Sequence, residues 1–240
     1  MNRDALNMSL DPSQLQVLSF DLDDTLWDGG AVILHAEQAM LNWMLEFTPD
    51  VFETYSKEQL REHKFQFIKN NPQLINKISE ARQAYLSELF SQFNYTDHRQ
   101  KAHDCFQTFY HARQQVILFD GVTEALAKLK QHYRLIAITN GNADIALTGL
   151  ADYFEFSLNA EDFKQPKPHG DIFHAALKQA NITASECLHI GDHPVHDMLG
   201  AHQMGMATCW LKDGTRQWNQ NFSAHLDIAH VSELVPILLK

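Results

Sequence analysis

Two carboxylates stand two residues apart in Phe20-Asp21-Leu22-Asp23-Asp24-Thr25-Leu26, directly after the short apolar run Leu15 to Phe20. Such a run reads as a buried strand. It delivers Asp21 and Asp23 to the strand's carboxyl end, where open parallel α/β sheets bind their ligands. One carboxylate there can attack an electrophile while the other carries the proton, and both can hold a hard cation. Two other readings compete: an acidic loop that caps the next element, and a calcium loop of the EF-hand kind. The calcium loop fails on spacing. Counting from Asp21, Leu26 occupies the place of the turn glycine and Val32 that of the bidentate glutamate.

Three later segments extend the pattern. Arg134-Leu-Ile-Ala-Ile-Thr139-Asn140-Gly141 is an apolar run ending in a hydroxyl and a glycine turn. Lys167-Pro168 precedes the helical stretch His169 to Ala180. Cys187-Leu-His-Ile-Gly191-Asp192-His-Pro-Val-His-Asp197 is a third strand ending in acid, with a second acid five residues on. Nucleophile-type Asp, then Thr, then Lys, then an acidic pair, in that order from about Leu15 to Leu211, resembles the haloacid-dehalogenase-like hydrolase superfamily.

The resemblance implies phosphomonoester hydrolysis through an aspartyl-phosphate intermediate. Asp21 would be the nucleophile, and Asp23 the general acid and then base. Thr139 and Lys167 complete the catalytic set, with phosphoryl oxygens held at Leu22, Thr139, Asn140 and Lys167. Mg²⁺ would be bound by Asp21, the backbone carbonyl of Asp23 and Asp192, with Asp197 supporting directly or through water. Each residue has a plainer reading: a capping threonine for Thr139, a helix N-cap for Asp192, and Lys164 as the rival of Lys167. His169-Gly170 replaces the family's more usual acid-proline pair, and His193 follows Asp192 where a small or acidic residue is commoner. Haloacid dehalogenases resemble this chain but lack the second aspartate and need no metal. A non-catalytic binding protein would have lost a catalytic group, and none is missing. A phosphomutase stays open.

Longer strings, Phe20-Asp-Leu-Asp-Asp-Thr-Leu-Trp-Asp28, Ala137-Ile-Thr-Asn-Gly-Asn142 and Asp152-Tyr-Phe-Glu-Phe156, resemble the bacterial YigB-type phosphatases. That resemblance implies action on 5-amino-6-(5-phospho-D-ribitylamino)uracil in riboflavin synthesis, and on flavin mononucleotide. A 5′-nucleotidase or small sugar-phosphate phosphatase is the alternative. Trp27, Trp43 and Tyr85 could stack on a flat ring, although packing is the plainer reading.

These residues need a scaffold. Strands are expected at Arg134 to Thr139, Phe154 to Leu158, Leu188 to Gly191 and Met206 to Leu211. Helices are expected at Val122 to His132, Ala143 to Leu150, His169 to Ala180, His196 to Met204 and Val231 to Leu238. This alternation indicates βαβ units and a doubly wound parallel sheet. Between Ala31 and Gln115 only helical periodicity is found. A helix over Ala31 to Phe47 carries a stripe of Ala36, Met40, Trp43 and Phe47, and another spans Lys57 to Lys69. Two more are marked by Leu74 to Leu89 and Ala102 to Arg113. The expected organisation is an α/β core, 1–29 and 116–240, with an all-α cap, 30–115, inserted between the first and second motifs. Gly29-Gly30 and Gln114 to Gly121 are the natural hinges.

The chain has 240 residues, 45% of them hydrophobic and 20% charged, ordinary for a soluble globular protein. Its formal charge of −11 argues against nucleic-acid and anionic-membrane partners. A small phosphorylated metabolite is the expected partner, and a monomer or small homo-oligomer the expected state. No apolar stretch approaches membrane-spanning length, and Met1 to Leu10 has no secretory h-region. Three sparse cysteines, Cys105, Cys187 and Cys209, suit a reducing cytoplasm. His189, His193 and His196 cluster in the last motif without a zinc-ligand spacing and read as surface histidines.

Overall fold

The computed structural model of the chain describes residues 10–239, so the reading of residues 1–9 as free of a secretory signal lies outside it. The chain divides into two compact units, Met1–Asp28 with Ile117–Lys240, and Gly29–Val116. The first is built on strands β1 (Val17–Phe20), β2 (Arg134–Thr139), β3 (Ser157–Asn159), β4 (Cys187–Gly191), β5 (Ala207–Leu211) and β6 (Leu226–Ile228). They form one sheet in the order β3-β2-β1-β4-β5-β6. Every pairing is parallel, with Phe20 beside Ala137 on one flank and Ile190 on the other.

This is the doubly wound α/β fold, and its strand order reverses at β1 and β4. Every residue of β1, β4 and β5 is buried, as expected of largely apolar strands covered on both faces, with Ser19, His189 and Thr208 the polar residues among them. The helix Gly170–Ala180 supplies one cover. Its Ile172, Phe173, Ala176 and Leu177 share a core cluster with Val17, Ile136 and Ile138.

Several elements depart from expectation. Ala143 to Leu150 forms turns, not a helix. The Asp144 side chain accepts from the Ala146 N–H at 2.8 Å, and Gly149 at φ 79° bends the chain away, two local competitors of helix propagation. β6 was missed because three residues are too short to show a period. The stretch expected as a helix from His196 opens instead as a π-helical turn, Pro194–Leu199, before an α-turn at Gly200–Gln203.

The second unit is helical throughout, with α1 (Gly29–Phe47), α2 (Asp50–Thr54), α3 (Lys57–Asn70), α4 (Ile78–Gln92) and α5 (His98–Arg113). α1 begins at Gly29 itself, so the glycine pair read as a hinge lies within its first turn. Its buried face is Val32, Ala36, Met40 and Met44 at strict four-residue spacing. Trp43 and Phe47 lie beside that stripe instead of on it, their rings in tilted contact at 4.8 Å, with Phe47 44% exposed. A reciprocal capping box between Ser56 and Gln59 starts α3. Tyr85 on α4 donates its hydroxyl to the Leu60 carbonyl at 3.1 Å and is packed in the core of this unit. Among the described residues no helix is long and apolar enough to cross a membrane.

Candidate active site

The loop after β1 is compact because Asp24 adopts φ 58°, a left-handed conformation that aspartate tolerates better than most residues. Its N–H donates to the Trp27 carbonyl at 2.8 Å, while the Leu22 carbonyl accepts from Thr25 and Leu26. The turn brings Trp27 back over Asp23, whose carboxylate accepts the indole N–H at 2.9 Å. Trp27 is wholly buried, so it packs the loop and presents no stacking face.

Asp21 itself leaves the strand with its N–H on the Ile190 carbonyl at 2.9 Å. This places it between the ends of β1 and β4, where the strand order reverses. Lys167 reaches the same place from 146 residues away. Its ammonium, 1% exposed, donates to Asp21 Oδ1 at 2.8 Å, Asp197 Oδ1 at 2.6 Å and the Ile138 carbonyl at 2.7 Å. The Asn140 side chain anchors the Lys167 backbone in both directions, accepting from its N–H at 2.8 Å and donating to its carbonyl at 3.1 Å. Lys164 is exposed. Thr139 is buried at the end of β2, where its hydroxyl accepts from the Gly141 N–H at 2.9 Å.

The π-helical turn carries Asp197 inward, one of the structural settings in which such turns recur at functional sites. His193, not Asp192, caps it: the His193 ring accepts from the Val195 and His196 N–H groups. The His193 backbone N–H in turn donates to Asp197 Oδ2 at 3.0 Å. Carboxylate oxygens of Asp21, Asp192 and Asp197 all lie within 4.8 Å of one another. The Asp23 carboxylate is not part of this group. Thr25 donates to Asp192 Oδ1 at 3.3 Å, and the Trp210 indole donates to the Asp192 carbonyl at 2.8 Å. Asp192 Oδ2 is buried and faces the Arg216 guanidinium, with Nη1 at 2.5 Å.

Electrostatics divide the three acids. Burial pushes Asp21 well above the usual carboxylate range, with Lys167 opposing and Asp197 and Asp192 reinforcing. Burial and the Asp197 charge push Asp192 up to about 7 against the pull of Arg216. Burial would raise Asp197 too, but the Lys167 ammonium and the His189 hydrogen bond hold it below the usual range. Lys167 shifts upward, because the two acids outweigh the cost of its burial. The three acids face the Lys167 ammonium and, at Asp192, the Arg216 guanidinium; their converging hard oxygen donors fit a divalent cation of the magnesium kind.

Sequence reasoning missed two contributors. His189 is fully buried in β4, not on the surface: one ring nitrogen meets the Ser19 hydroxyl at 2.9 Å and the other Asp197 Oδ1 at 3.4 Å. Burial lowers its pKa, with Asp197 opposing. A polar residue inside an otherwise apolar five-residue strand was the available signal. Arg216, in the unpatterned segment after β5, offered none.

Fold and site together define an α/β enzyme whose carboxylates converge at a topological switch point. The family model of haloacid dehalogenase-like hydrolases matches residues 15–205, and the chain belongs to that family. It is 29% identical over 231 residues to the 5-amino-6-(5-phospho-D-ribitylamino)uracil phosphatase YigB of Escherichia coli K12, covering 94% of this chain and 97% of that protein. It is 31% identical over 210 residues to the glyceraldehyde 3-phosphate phosphatase of Pyrococcus abyssi, covering 83% and 82%. Among solved structures, a 2-haloacid dehalogenase from Pseudomonas syringae pv. Tomato DC3000 superposes with a TM-score of 0.87 at 36% identity, covering 94% of this chain and 98% of that one.

Proposed function

We propose that the protein is a Mg²⁺-dependent phosphomonoester hydrolase that works through an aspartyl phosphate on Asp21. The observation that carries this reading is the convergence of Asp21, Asp192 and Asp197 within 4.8 Å, with Lys167 bridging Asp21 and Asp197. Uncatalysed phosphomonoester hydrolysis is exceptionally slow, and a carboxylate nucleophile divides it into two easier steps. In this reading Asp21 attacks phosphorus, and Asp23 protonates the leaving oxygen and later deprotonates the attacking water. Trp27 holds the Asp23 side chain in place for both transfers. Lys167 offsets charge on the transferring group, and Thr139, Asn140 and the backbone at Leu22 orient its oxygens. Asp21, Asp192, Asp197 and the Asp23 carbonyl would hold the cation, which when bound screens the negative charge of nucleophile and phosphoryl group.

For substrate we infer 5-amino-6-(5-phospho-D-ribitylamino)uracil, with flavin mononucleotide as a second. The likeness to YigB over 94% of the chain supports this, as do the loop strings around Asp21, Thr139 and Tyr153. We assign substrate selection to the helical unit Gly29–Val116, acting as a cap. The likeness to a 2-haloacid dehalogenase structure favours a second reading, hydrolytic dehalogenation at Asp21. The second aspartate, Asp23, and the three-acid cluster speak for phosphoryl transfer instead.

The test is kcat/KM in saturating MgCl₂ on a matched panel: the ribitylamino-uracil phosphate, flavin mononucleotide, nucleoside monophosphates, glyceraldehyde 3-phosphate and 2-chloropropionate. The first two should lead, with no chloride released from the last. Preference for nucleotides or triose phosphate by an order of magnitude removes the flavin-pathway reading and leaves the phosphatase. Chloride release without phosphatase activity removes both.

A further inference from the structure

Arg216 lies in the loop after β5, away from every motif read from the sequence, yet its guanidinium contacts carboxylates on three segments. Nη1 stands 2.5 Å from Asp192 Oδ2 and 2.6 Å from Asp213 Oδ2, and Nη2 stands 3.0 Å from Asp24 Oδ2. The loop is built to hold it there: Asp213 Oδ1 accepts from the Thr215 N–H at 2.8 Å and the Arg216 N–H at 3.2 Å. The Asp192 oxygen it faces is buried and takes no hydrogen bond from any other group, so the guanidinium is its charge partner. Asp192 belongs to the acid cluster, in which Lys167 bridges the other two members, Asp21 and Asp197.

We propose that Arg216 is an internal counter-ion that competes with the divalent cation for Asp192, so that loading the cluster requires the guanidinium to withdraw onto Asp24 and Asp213. The inference rests on the cation reading of the site given above. A cation that takes Asp192 Oδ2 competes with the guanidinium 2.5 Å away, and one that takes Oδ1 still meets the same positive charge across the carboxylate. A doubly charged hard cation is the stronger partner for it, and Arg216 lowers the apparent affinity by the free energy of the contact that must be broken. Asp24 and Asp213 retain the displaced guanidinium, which keeps the exchange reversible. Arg216 thus sets the cation concentration at which the enzyme becomes competent.

Calorimetric titration with MgCl₂ of the wild type, Arg216→Gln, Arg216→Lys and Lys212→Gln tests this directly. Lys212 is the control, a nearby exposed cation paired with Asp227 at 2.7 Å. Arg216→Gln should bind Mg²⁺ roughly five- to tenfold more tightly, the size of one partly exposed ion-pair coupling. Lys212→Gln should stay within about twofold, since exposed charges are screened. Arg216→Lys keeps the charge but cannot fork between Asp24 and Asp192, and should fall between wild type and Arg216→Gln. In chelator, Arg216→Gln should melt below wild type, and saturating MgCl₂ should close the gap. Unchanged or weaker Mg²⁺ affinity in Arg216→Gln overturns the proposal, as does an equal gain in Lys212→Gln, which would mean a long-range field alone. Absence of any Mg²⁺ binding in wild type and variants alike removes the cation reading itself, and this proposal with it.

Discussion

Taking an ammonium out of water costs several kcal/mol unless charged partners and hydrogen-bond acceptors replace its hydration. Lys167 has both, in Asp21, Asp197 and the Ile138 carbonyl. The dependence is mutual, because Asp197 is wholly buried and Lys167 supplies its largest compensating charge. Lys167→Ala should therefore cost about 3–5 kcal/mol of stability, the usual penalty for stranding one half of a buried pair. Lys164→Ala, at an exposed position, should stay within about 0.5 kcal/mol. Urea denaturation of the two variants, with phosphate release measured alongside, checks the ranking. Equal effects would mean that the bridge seen at Lys167 does not hold the cluster together. His189 belongs to the same unit, since its ring joins Ser19 in β1 to Asp197 and packs edge-on against Phe173 at 5.2 Å.

At the level of elements, the end of β4 is fitted to the π-helical turn that follows it. A Cβ built on Gly191 would lie 2.4 Å from Asp197 Cγ, closer than any real contact. Glycine here makes room for the Asp197 side chain; no left-handed turn demands it. Gly191→Ala should push Asp197 off Lys167, costing about 1–3 kcal/mol as overpacking does and most of the activity. Thermal melting together with kcat checks this, and a variant with normal kcat would show that the turn can yield without moving Asp197. In the helical unit, Glu37 on α1 meets Lys64 on α3 at 3.0 Å and Arg82 on α4 at 3.8 Å. Burial opposes its charge, but Lys64 and then Arg82 outweigh it and lower the pKa below 4.5. A depressed acid pKa contributes stability above the unfolded value and loses it as pH falls through the folded one. Glu37→Gln should thus be about 1 kcal/mol less stable than wild type at neutral pH. The difference should shrink below pH 4.5, as melting of both proteins across pH 3–7 would show.

For the molecule as a whole, the net charge of −11 is unfavourable to an anionic substrate. The site overcomes it locally, through Lys167 and, in the proposed reading, a divalent cation. Phosphate release should accordingly fall to background in excess EDTA and return on addition of MgCl₂. Full turnover in EDTA would contradict the cation's part in the reaction and revive the dehalogenase-like alternative.

The sequence by itself determined most of the sheet's strands, because buried parallel strands are short apolar runs; β2 was legible to the residue, the three-residue β6 was not. It also singled out Asp21, Thr139, Lys167, Asp192 and Asp197 as candidates, the first four by their places at or beside the end of such a run or before a patterned helix, and Asp197 as the acid that follows the last run. Only the tertiary structure decided which of them touch. Lys167 meets Asp21 across 146 residues, and nothing local in either segment encodes that encounter. The turn at 143–150 was set by the Asp144 side chain and Gly149, which override helical periodicity. His189 and Arg216 stayed hidden for the same reason: the partners that give them meaning, Ser19 and Asp24, lie on the other side of the chain and reach them only once the sheet has closed.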